Sequence, residues 1–465
     1  MRINSTSNFF LLRIVPVYIS LFITLLLSFS DKIKAQDNNA SNLATLEAEI
    51  NTRSAAIEKK LIGWREDIHQ HPELGDAEIR TSKLVADHLK ALGIDVTADV
   101  ARTGVIGILK GGKPGGVVAL RADMDALPIK EPEGLPFASK ATGIMRGQQV
   151  SVMHACGHDA HTAILMATAE VLSEMKKDIP GAVMFIFQPA EEGSSIVDQT
   201  TPGAIWGAQL ILKEGWFQKI KPQAVFALHV MVGSSGSIFF KSGATTASSD
   251  AFDIKVSGKG GHGGMPWNTI DPVPISALII SGLQTVVSRK ADLTKSPAVV
   301  TVATLQAGSN YNVVPDTVDM TGTIRAYDEE FRKKLQSDIK LTAEKIAESG
   351  GGHAKVTITP IYSTTINDEK LAEQMLPVLQ RVSNNQVSES PLQGASEDFS
   401  FYAQATPGLF IFLGITPKDQ DPATAAPNHN QNFFVDESAL ITGVRAMASM
   451  AINFLVNASA SKASK

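Results

Sequence analysis

Residues 153–162 combine residue types that bind metal ions. The stretch reads Met-His-Ala-Cys-Gly-His-Asp-Ala-His-Thr and holds Cys156, the only cysteine among 465 residues, with three of the ten histidines. Cys156 and His158 lie two residues apart on a loop that contains Gly157, so both side chains can reach one small ion. Zinc and its first-row neighbours accept thiolate, imidazole and carboxylate ligands. The alternative is a buried structural cysteine beside histidines that cap a helix.

The amino terminus predicts that the chain is exported. An apolar run from Ile14 to Phe29 precedes the small residue Ala35, so residues 1–35 resemble a signal peptide cleaved near Ala35. The run is shorter than the roughly 20 apolar residues of a membrane span. We therefore expect a periplasmic or secreted protein without stable membrane insertion, and an uncleaved anchor is the alternative. A free thiol outside the cytosol is open to oxidation unless it is buried or bound to metal, which favours a metal at Cys156.

The composition is that of an ordinary globular protein. Hydrophobic residues make up 44% and charged residues 19% of the chain, which has room for two or three domains. The net charge is −5 at pH 7, and nothing in the charge pattern indicates a nucleic-acid partner.

Four short apolar runs predict the strands of a mostly parallel sheet. They are residues 117–120, 183–187, 224–228 and 409–413. Continuous apolar runs that alternate with helical patterns are typical of a sheet covered on both faces. Three of the runs lead into polar groups, which are Asp123 with Asp125, Glu191 with Glu192, and His229. Because ligands bind beyond the carboxyl ends of parallel strands, the sequence predicts a site there.

Between residues 248 and 362 the pattern changes to the order β-α-β-β-α-β. The predicted elements are a strand over 252–256, a helix over 271–289, strands over 298–305 and 318–326, a helix from Asp328, and a strand over 354–358. This order is that of a ferredoxin-like unit. The predicted fold class is α/β, with a parallel-rich catalytic domain over residues 42–247 and 363–458 and an inserted α+β lid domain over 248–362.

Several ordered motifs resemble those of one enzyme family. They are residues 121–129, 153–159, 188–193, 261–266, 312–316, 322–325 and 396–399. They are similar to motifs of the co-catalytic metallopeptidase family of aminoacylases and carboxypeptidase-G-like enzymes. The nearest branch is that of the amidohydrolases, which include hippurate hydrolases and indole-acetyl-amino-acid hydrolases. The similarity extends over roughly residues 61–451.

The resemblance implies two divalent metal ions in each subunit, with zinc, manganese, cobalt or nickel as the candidates. The implied metal ligands are Cys156, His158, Glu192, His229 and His429. Glu191 would be the general base, which takes a proton from the attacking water and passes it to the leaving nitrogen. Asp123 and Asp125 would orient the ligands without binding metal directly.

The resemblance also assigns roles to the lid domain, through which the family forms homodimers. His262 would polarise the substrate carbonyl in the partner subunit's site. Asn312 and Arg325 would contact substrate, and the guanidinium of Arg325 suits a carboxylate. The sequence departs from the family pattern in longer segments at 147–151 and 193–207, and it lacks the proline that usually stands two residues after His429.

These features together predict an exported, metal-dependent amidohydrolase that cleaves N-acyl amino acids or related small amides. A metal-dependent dipeptidase or carboxypeptidase is the alternative among enzymes. A non-catalytic protein that binds metal or ligand is the alternative from another class. Glu191 argues against the latter, because a binding protein has no need of a free base beside its ligands.

Overall fold

The computed structural model describes residues 15–198, 201 and 203–463, and it describes side-chain environments from residue 41 to residue 460 of those ranges. Its α-helices are α1 (Val15–Gln70), α2 (Ile79–Ala91), α3 (His158–Glu174), α4 (Gly207–Lys213), α5 (Trp216–Ile220), α6 (Pro272–Thr285), α7 (Glu329–Ser349), α8 (Glu369–Val382), α9 (Phe399–Ala405) and α10 (Leu440–Ala463). Shorter helical turns span Pro266–Asn268, Val286–Lys290, Pro422–Thr424 and Glu437–Ala439.

The strands form two main sheets and several short ribbons. They are β1 (Asp95–Val100), β2 (Gly104–Lys110), β3 (Lys113–Asp123), β4 (Thr142–Met145), β5 (Gln148–Ser151), β6 (Pro180–Gln188), β7 (Ala224–Ser234), β8 (Ile238–Phe240), β9 (Gly243–Thr246), β10 (Ser249–Ser257), β11 (Gly261–His262), β12 (Ala298–Ala307), β13 (Val313–Val314), β14 (Thr317–Ala326), β15 (His353–Tyr362), β16 (Thr365–Asn367), β17 (Val387–Glu389) and β18 (Gly408–Thr416).

The large sheet has the strand order β1-β2-β6-β3-β7-β18-β8-β17. Its central strands β6, β3, β7 and β18 are the four predicted apolar runs, and each neighbouring pair among them is parallel. Apolar side chains cover both faces of these strands, as a sheet buried between helices requires. The predicted α/β fold class is therefore confirmed.

Helices pack against both faces of this sheet. Helices α1, α3, α8 and α10 share one apolar core with it, and α4, α5 and α9 share the other. Among the residues with described side chains, one segment, Glu437–Ala460, is long and apolar enough for a membrane span. Since 78% of its most apolar stretch is buried inside the protein, it is weak evidence for a span and packs here as a core helix.

The second sheet has the order β12-β14-β10-β15 and is antiparallel throughout. With α6 and α7 packed on it, the chain order is β-α-β-β-α-β, and this unit has an apolar core of its own. Helix α7 begins after Asp328, whose side chain accepts a hydrogen bond from the backbone N–H of Phe331 over 2.7 Å. The roles of this β-α-β-β-α-β unit as a lid and in dimerisation stay predictions.

The predicted signal peptide falls partly on residues 1–14, which lie outside the described residues, so export also stays a prediction. The segment at 147–151 contributes strand β5 of a hairpin with β4, which turns at Arg146 and Gly147 in left-handed backbone conformations. In the described parts of 147–151 and 193–207, no residue lines the cavity at the candidate site.

Candidate metal centre and active site

Cys156, in the loop before α3, and His158, the first residue of α3, lie at the carboxyl edge of the large sheet. Gly157 separates them with a φ of +89°, a conformation that favours glycine, and a Cβ there would lie 2.2 Å from a methyl carbon of Val230. This glycine lets the loop press against β7. As a result the Sγ atom of Cys156 lies 3.4 Å from Nε2 of His229.

The backbone beside His229 orients its imidazole ring. The apolar run was predicted to end at His229, but strand β7 continues to Ser234, so His229 lies within the strand. The pairing of β7 with β3 ends at Ala227. The Nδ1 atom of His229 lies 2.8 Å from the Val230 carbonyl oxygen, to which it donates, and Nε2 therefore offers its lone pair. Burial holds the pKa of His229 well below its usual range, and the charge of His161 lowers it further. The ring is therefore in the neutral form that binds metal.

His158 lies opposite, with Nδ1 close to Asp125 and Nε2 3.8 Å from Oδ2 of Asp123. Its Nδ1 atom is 3.2 Å from Oδ1 of Asp125. Its buried Nε2 atom has no hydrogen-bond partner among the described residues, and it lies 4.0 Å from Oε1 of Glu192. Burial lowers the pKa of His158, but Asp123 and Asp125 more than offset this effect and raise it to about 10. The pocket around Nε2 is therefore strongly negative and suits a cation.

Glu192 and His429 complete the ligand set predicted from the sequence. Oε1 of Glu192 lies 2.8 Å from Nε2 of His429, which lies in the loop between β18 and α10 and has a φ of +67°. Burial raises the pKa of Glu192, but the hydrogen bond and charge of His429 more than offset it, so this pKa is lowered and the carboxylate is ionised. The ligand atoms of Cys156, Glu192 and His429 lie within 4.8 Å of one another, as do those of Cys156, His158 and His229.

Glu191 lies beside this ligand set, with a carboxyl oxygen within 4.8 Å of the ligand atoms of His158 and Glu192. Its Oε1 atom accepts a long hydrogen bond of 3.4 Å from the backbone N–H of Asp398. Burial raises the pKa of Glu191 well above its ordinary value, and the nearby charges of Glu397 and Glu192 raise it further. A buried carboxyl group with a shifted pKa beside a cavity is a candidate for proton transfer.

Asp123, Asp125 and His161 contact the candidate ligands or the residues beside them. Asp125 accepts a hydrogen bond from the backbone N–H of Glu192 over 2.8 Å as well as pairing with His158. Asp123 lies 2.5 Å from Nδ1 of His161, whose Nε2 accepts from the backbone N–H of Val230 over 2.8 Å. Both nitrogens of His161 are thus occupied, so it orients its neighbours and does not bind metal.

A cavity of about 620 Å³ opens over these residues, between the large sheet and the second sheet. Cys156, Glu191, Glu192, His229 and His429 all line it. Of the three candidate residues in the second sheet's unit, Arg325 lines the cavity. His262 and Asn312 do not: they lie on an exposed ribbon, where the Gly263 N–H donates to the Asn312 carbonyl oxygen over 2.8 Å.

Comparison with known proteins identifies the family of this chain. The model of peptidase family M20/M25/M40 matches residues 119–453, which include all the candidate metal ligands. The chain belongs to peptidase family M20/M25/M40. It is a hydrolase that acts on amide bonds.

This chain aligns with relatives in the M20/M25/M40 family over almost their full length. Thermostable carboxypeptidase 1 of Saccharolobus solfataricus is 37% identical over 86% of this chain and 96% of its own length. N-acetylcysteine deacetylase of Bacillus subtilis is 36% identical over 85% of this chain and 97% of its own length. The crystal structure of a dinuclear metal binding peptidase of the M20 family from Bacillus subtilis has a TM-score of 0.70 and 32% identity, covering 86% of this chain and 99% of that chain.

The structure also shows residues of this M20/M25/M40 site that sequence reasoning did not assign. Arg121 is 1% exposed and contacts Asp123 over 2.7 Å, Glu397 over 2.8 Å and Asp398 over 2.9 Å. Gln188 donates to Asp398 over 2.8 Å. An arginine inside an apolar strand pattern was the available signal, because a buried charge requires partners.

Asn428 was also missed. Its side-chain amide donates to the carbonyl oxygens of Cys156 over 3.1 Å and Val230 over 3.0 Å. The backbone N–H of His429 donates to Ala155 over 2.8 Å. These contacts join the His429 loop to the Cys156 loop in the M20/M25/M40 site, and no local sequence pattern indicates them.

Proposed function

We propose that this protein hydrolyses N-acyl amino acids, or related small amide conjugates, with two divalent metal ions held in its site. The observation that supports the proposal is the convergence of five ligand side chains of mixed type beside a separate carboxyl group at a cavity. The proposed ligands are Cys156, His158, Glu192, His229 and His429.

The side chains fit divalent metals. Nε2 of His158 is buried without a hydrogen-bond partner in the described part of the chain, and Nε2 of His229 has its lone pair aimed toward Cys156. The two ligand groups share Cys156, so two ions could lie side by side. Sulfur, imidazole and carboxylate ligands together suit zinc, manganese, cobalt or nickel.

Within this proposal, each residue has a chemical task. Bound divalent ions would polarise the amide carbonyl and lower the pKa of the attacking water. Glu191 takes the proton from that water and delivers it to the leaving nitrogen. Asp125 keeps His158 and the Glu192 backbone in place through its two oxygen atoms.

The cavity lining favours an N-acylated substrate over a dipeptide. A free substrate amine requires an unengaged carboxylate, but Asp250 is paired with Arg332 over 2.7 Å and Glu397 with Arg121 over 2.8 Å. Apolar side chains line the same space, including Met231. They suit an acyl group, and the relative that is an N-acetylcysteine deacetylase has a name consistent with this class.

Export and a dimeric state complete the proposal. The signal-peptide pattern of residues 1–35 supports export. The position of His262 on an exposed ribbon outside its own cavity supports a role in the site of a second copy. Arg325, which does line the cavity, supports binding of a substrate carboxylate.

The test is hydrolysis by the chelated and re-metallated protein. We expect chelation to abolish activity, and Zn²⁺, Mn²⁺, Co²⁺ or Ni²⁺ to restore it on N-acetyl or N-benzoyl amino acids. Full activity in a preparation shown to be metal-free would overturn the metal proposal. Hydrolysis of dipeptides but not of N-acyl amino acids would instead support a dipeptidase.

A further inference from the structure

A buried network of polar side chains connects the loop that carries Cys156 and His158 to helix α1. The loop runs from Val152, after strand β5, to Asp159, in the first turn of α3. His154 lies in its middle, and neither ring nitrogen of His154 has a hydrogen-bond partner among the described residues. The contacts that connect the loop to helix α1 are made at its two ends, Asp159 and Val152.

The carboxyl-terminal end of the loop is fixed at Asp159. Its Oδ2 atom lies 2.8 Å from Nδ1 of His69, in the last turn of α1, and 2.9 Å from Nε of Arg65 one turn earlier. All three side chains are almost completely buried. Because Asp159 follows His158 directly, its position constrains the backbone that carries the His158 ring.

The second end is held through Glu131 and Ser139. Nε2 of His69 lies 3.0 Å from Oε1 of Glu131, whose other oxygen accepts from the backbone N–H of Ser139 over 2.6 Å. The Ser139 hydroxyl donates to the carbonyl oxygen of Val152 over 2.7 Å. One imidazole thus connects both ends of the metal-binding loop.

The protonation of His69 is consistent with two donated hydrogen bonds. Burial lowers its pKa, but the charge of Asp159 and the hydrogen bonds to Asp159 and Glu131 more than offset this, so the pKa is raised. A protonated imidazole donates from both nitrogens and can bind both carboxylates at once.

We propose that His69 is a positioning residue for the metal site, which sets the affinity for metal by holding both ends of the Val152–Asp159 loop. This inference rests on the proposed function, because it concerns the same metal ligands. His69 contacts neither metal nor substrate in this assignment; it acts through Asp159 and Glu131.

The physical reason is preorganisation. A loop that is already ordered loses little conformational freedom when metal binds, whereas a loose loop loses it at that moment and binds more weakly. Replacement of groups that orient metal ligands typically costs about 10–100-fold in metal affinity. The same loss is expected when His69 is replaced.

The experiment compares His69→Ala with His71→Ala in Co²⁺ titrations of the metal-free protein. His71 is the matched control, because it is a histidine two residues away, 47% exposed, and bonded to the Asp67 carbonyl oxygen over 2.8 Å. Binding is followed by the absorption that a thiolate ligand to Co²⁺ produces, so it does not depend on activity. Unfolding of each metal-free protein is measured alongside by circular dichroism.

We expect His69→Ala to weaken Co²⁺ binding by about 10–100-fold and His71→Ala to leave it unchanged. Equal Co²⁺ affinity in wild type and His69→Ala would overturn the inference, even if the variant unfolds more easily, since the role would then be structural only. If His69→Ala fails to fold, Glu131→Gln preserves the side-chain shape and weakens one of the two links. It should then lower Co²⁺ affinity, and unchanged affinity would overturn the inference equally.

The pattern of results separates this inference from the proposed function. A wild-type protein that binds no Co²⁺ would overturn both. A wild-type protein that binds Co²⁺ through its thiolate, with a His69→Ala variant of equal affinity, would overturn only the role of His69.

Discussion

Oε1 of Glu192 lies 2.8 Å from Nε2 of His429, whereas the adjacent Glu191 directs its Oε1 toward the backbone N–H of Asp398, 3.4 Å away. The two glutamates are neighbours in sequence but face different partners. One lies among the candidate metal ligands, and the other lies beside them as a buried carboxyl group. Their replacement should therefore produce different defects.

Glu191→Gln should lose turnover and keep its metal. The amide retains the size of the side chain but cannot accept the proton, so we expect kcat to fall by about 10²–10⁴-fold. Glu192→Gln is the matched variant, and it should lose metal first because an amide oxygen is a poor replacement for a carboxylate ligand. Metal content, substrate affinity and kcat are measured for both in one buffer. Hydrolysis at near wild-type rate by Glu191→Gln would show that the assigned base is wrong.

Subunit mixing tests the role of His262 in a partner's site. We expect His262→Ala and Glu191→Gln to be nearly inactive alone, because each lacks one component of every site. When mixed and allowed to exchange subunits, they should regain activity, since a heterodimer contains one site with both components. Exchange is verified by differential tagging and mass measurement. Verified exchange without recovery would contradict this assignment of His262.

Arg121→Met should destabilise the protein strongly. The change leaves the carboxylates of Asp123, Glu397 and Asp398 buried without their cation. Loss of one partner from a buried charge network costs about 3–5 kcal/mol in the free energy of unfolding. Denaturant unfolding of the metal-free protein measures this value.

Arg80→Gln is the control for Arg121. Arg80 also pairs with an aspartate, Asp67, over 2.7 Å, but both side chains are 39% exposed. An exposed pair contributes at most about 1 kcal/mol, so this variant should unfold close to wild type. Equal destabilisation by the two changes would mean that the buried network has no special contribution to stability.

Gly75→Ala should disturb the turn that carries the paired glutamates. A Cβ at Gly75 would lie 2.2 Å from the Gly193 carbonyl oxygen and 2.9 Å from Cα of Ala190. Relief of that overlap requires a backbone shift, so we expect a loss of about 1–3 kcal/mol in unfolding free energy together with lower kcat. Gly63→Ala in helix α1 is the control, because a Cβ there meets nothing within 4 Å. It should stabilise the protein by up to about 1 kcal/mol; a Gly75→Ala protein with wild-type stability and kcat would contradict the proposed overlap.

The sequence was sufficient for the fold class and for the expectation of a polar site at the carboxyl edge of the large sheet. The apolar runs ending near Asp123, Glu191 and His229 are continuous in sequence, and their burial pattern is local information. Parallel strands place their carboxyl ends on one edge, so residues that follow different strands are brought together by the sheet itself. That geometric rule predicted a site at this edge, whereas the full ligand set came from the resemblance to a known family.

Only the tertiary structure decided which partners these residues have. His69 and His71 look alike in sequence, yet one is buried against Asp159 and the other is exposed. Asn428 and Arg121 likewise make their contacts with residues that are remote in the chain. Such contacts depend on how helices and loops pack on the sheet and on which buried polar atoms then need partners, and no local periodicity encodes that choice.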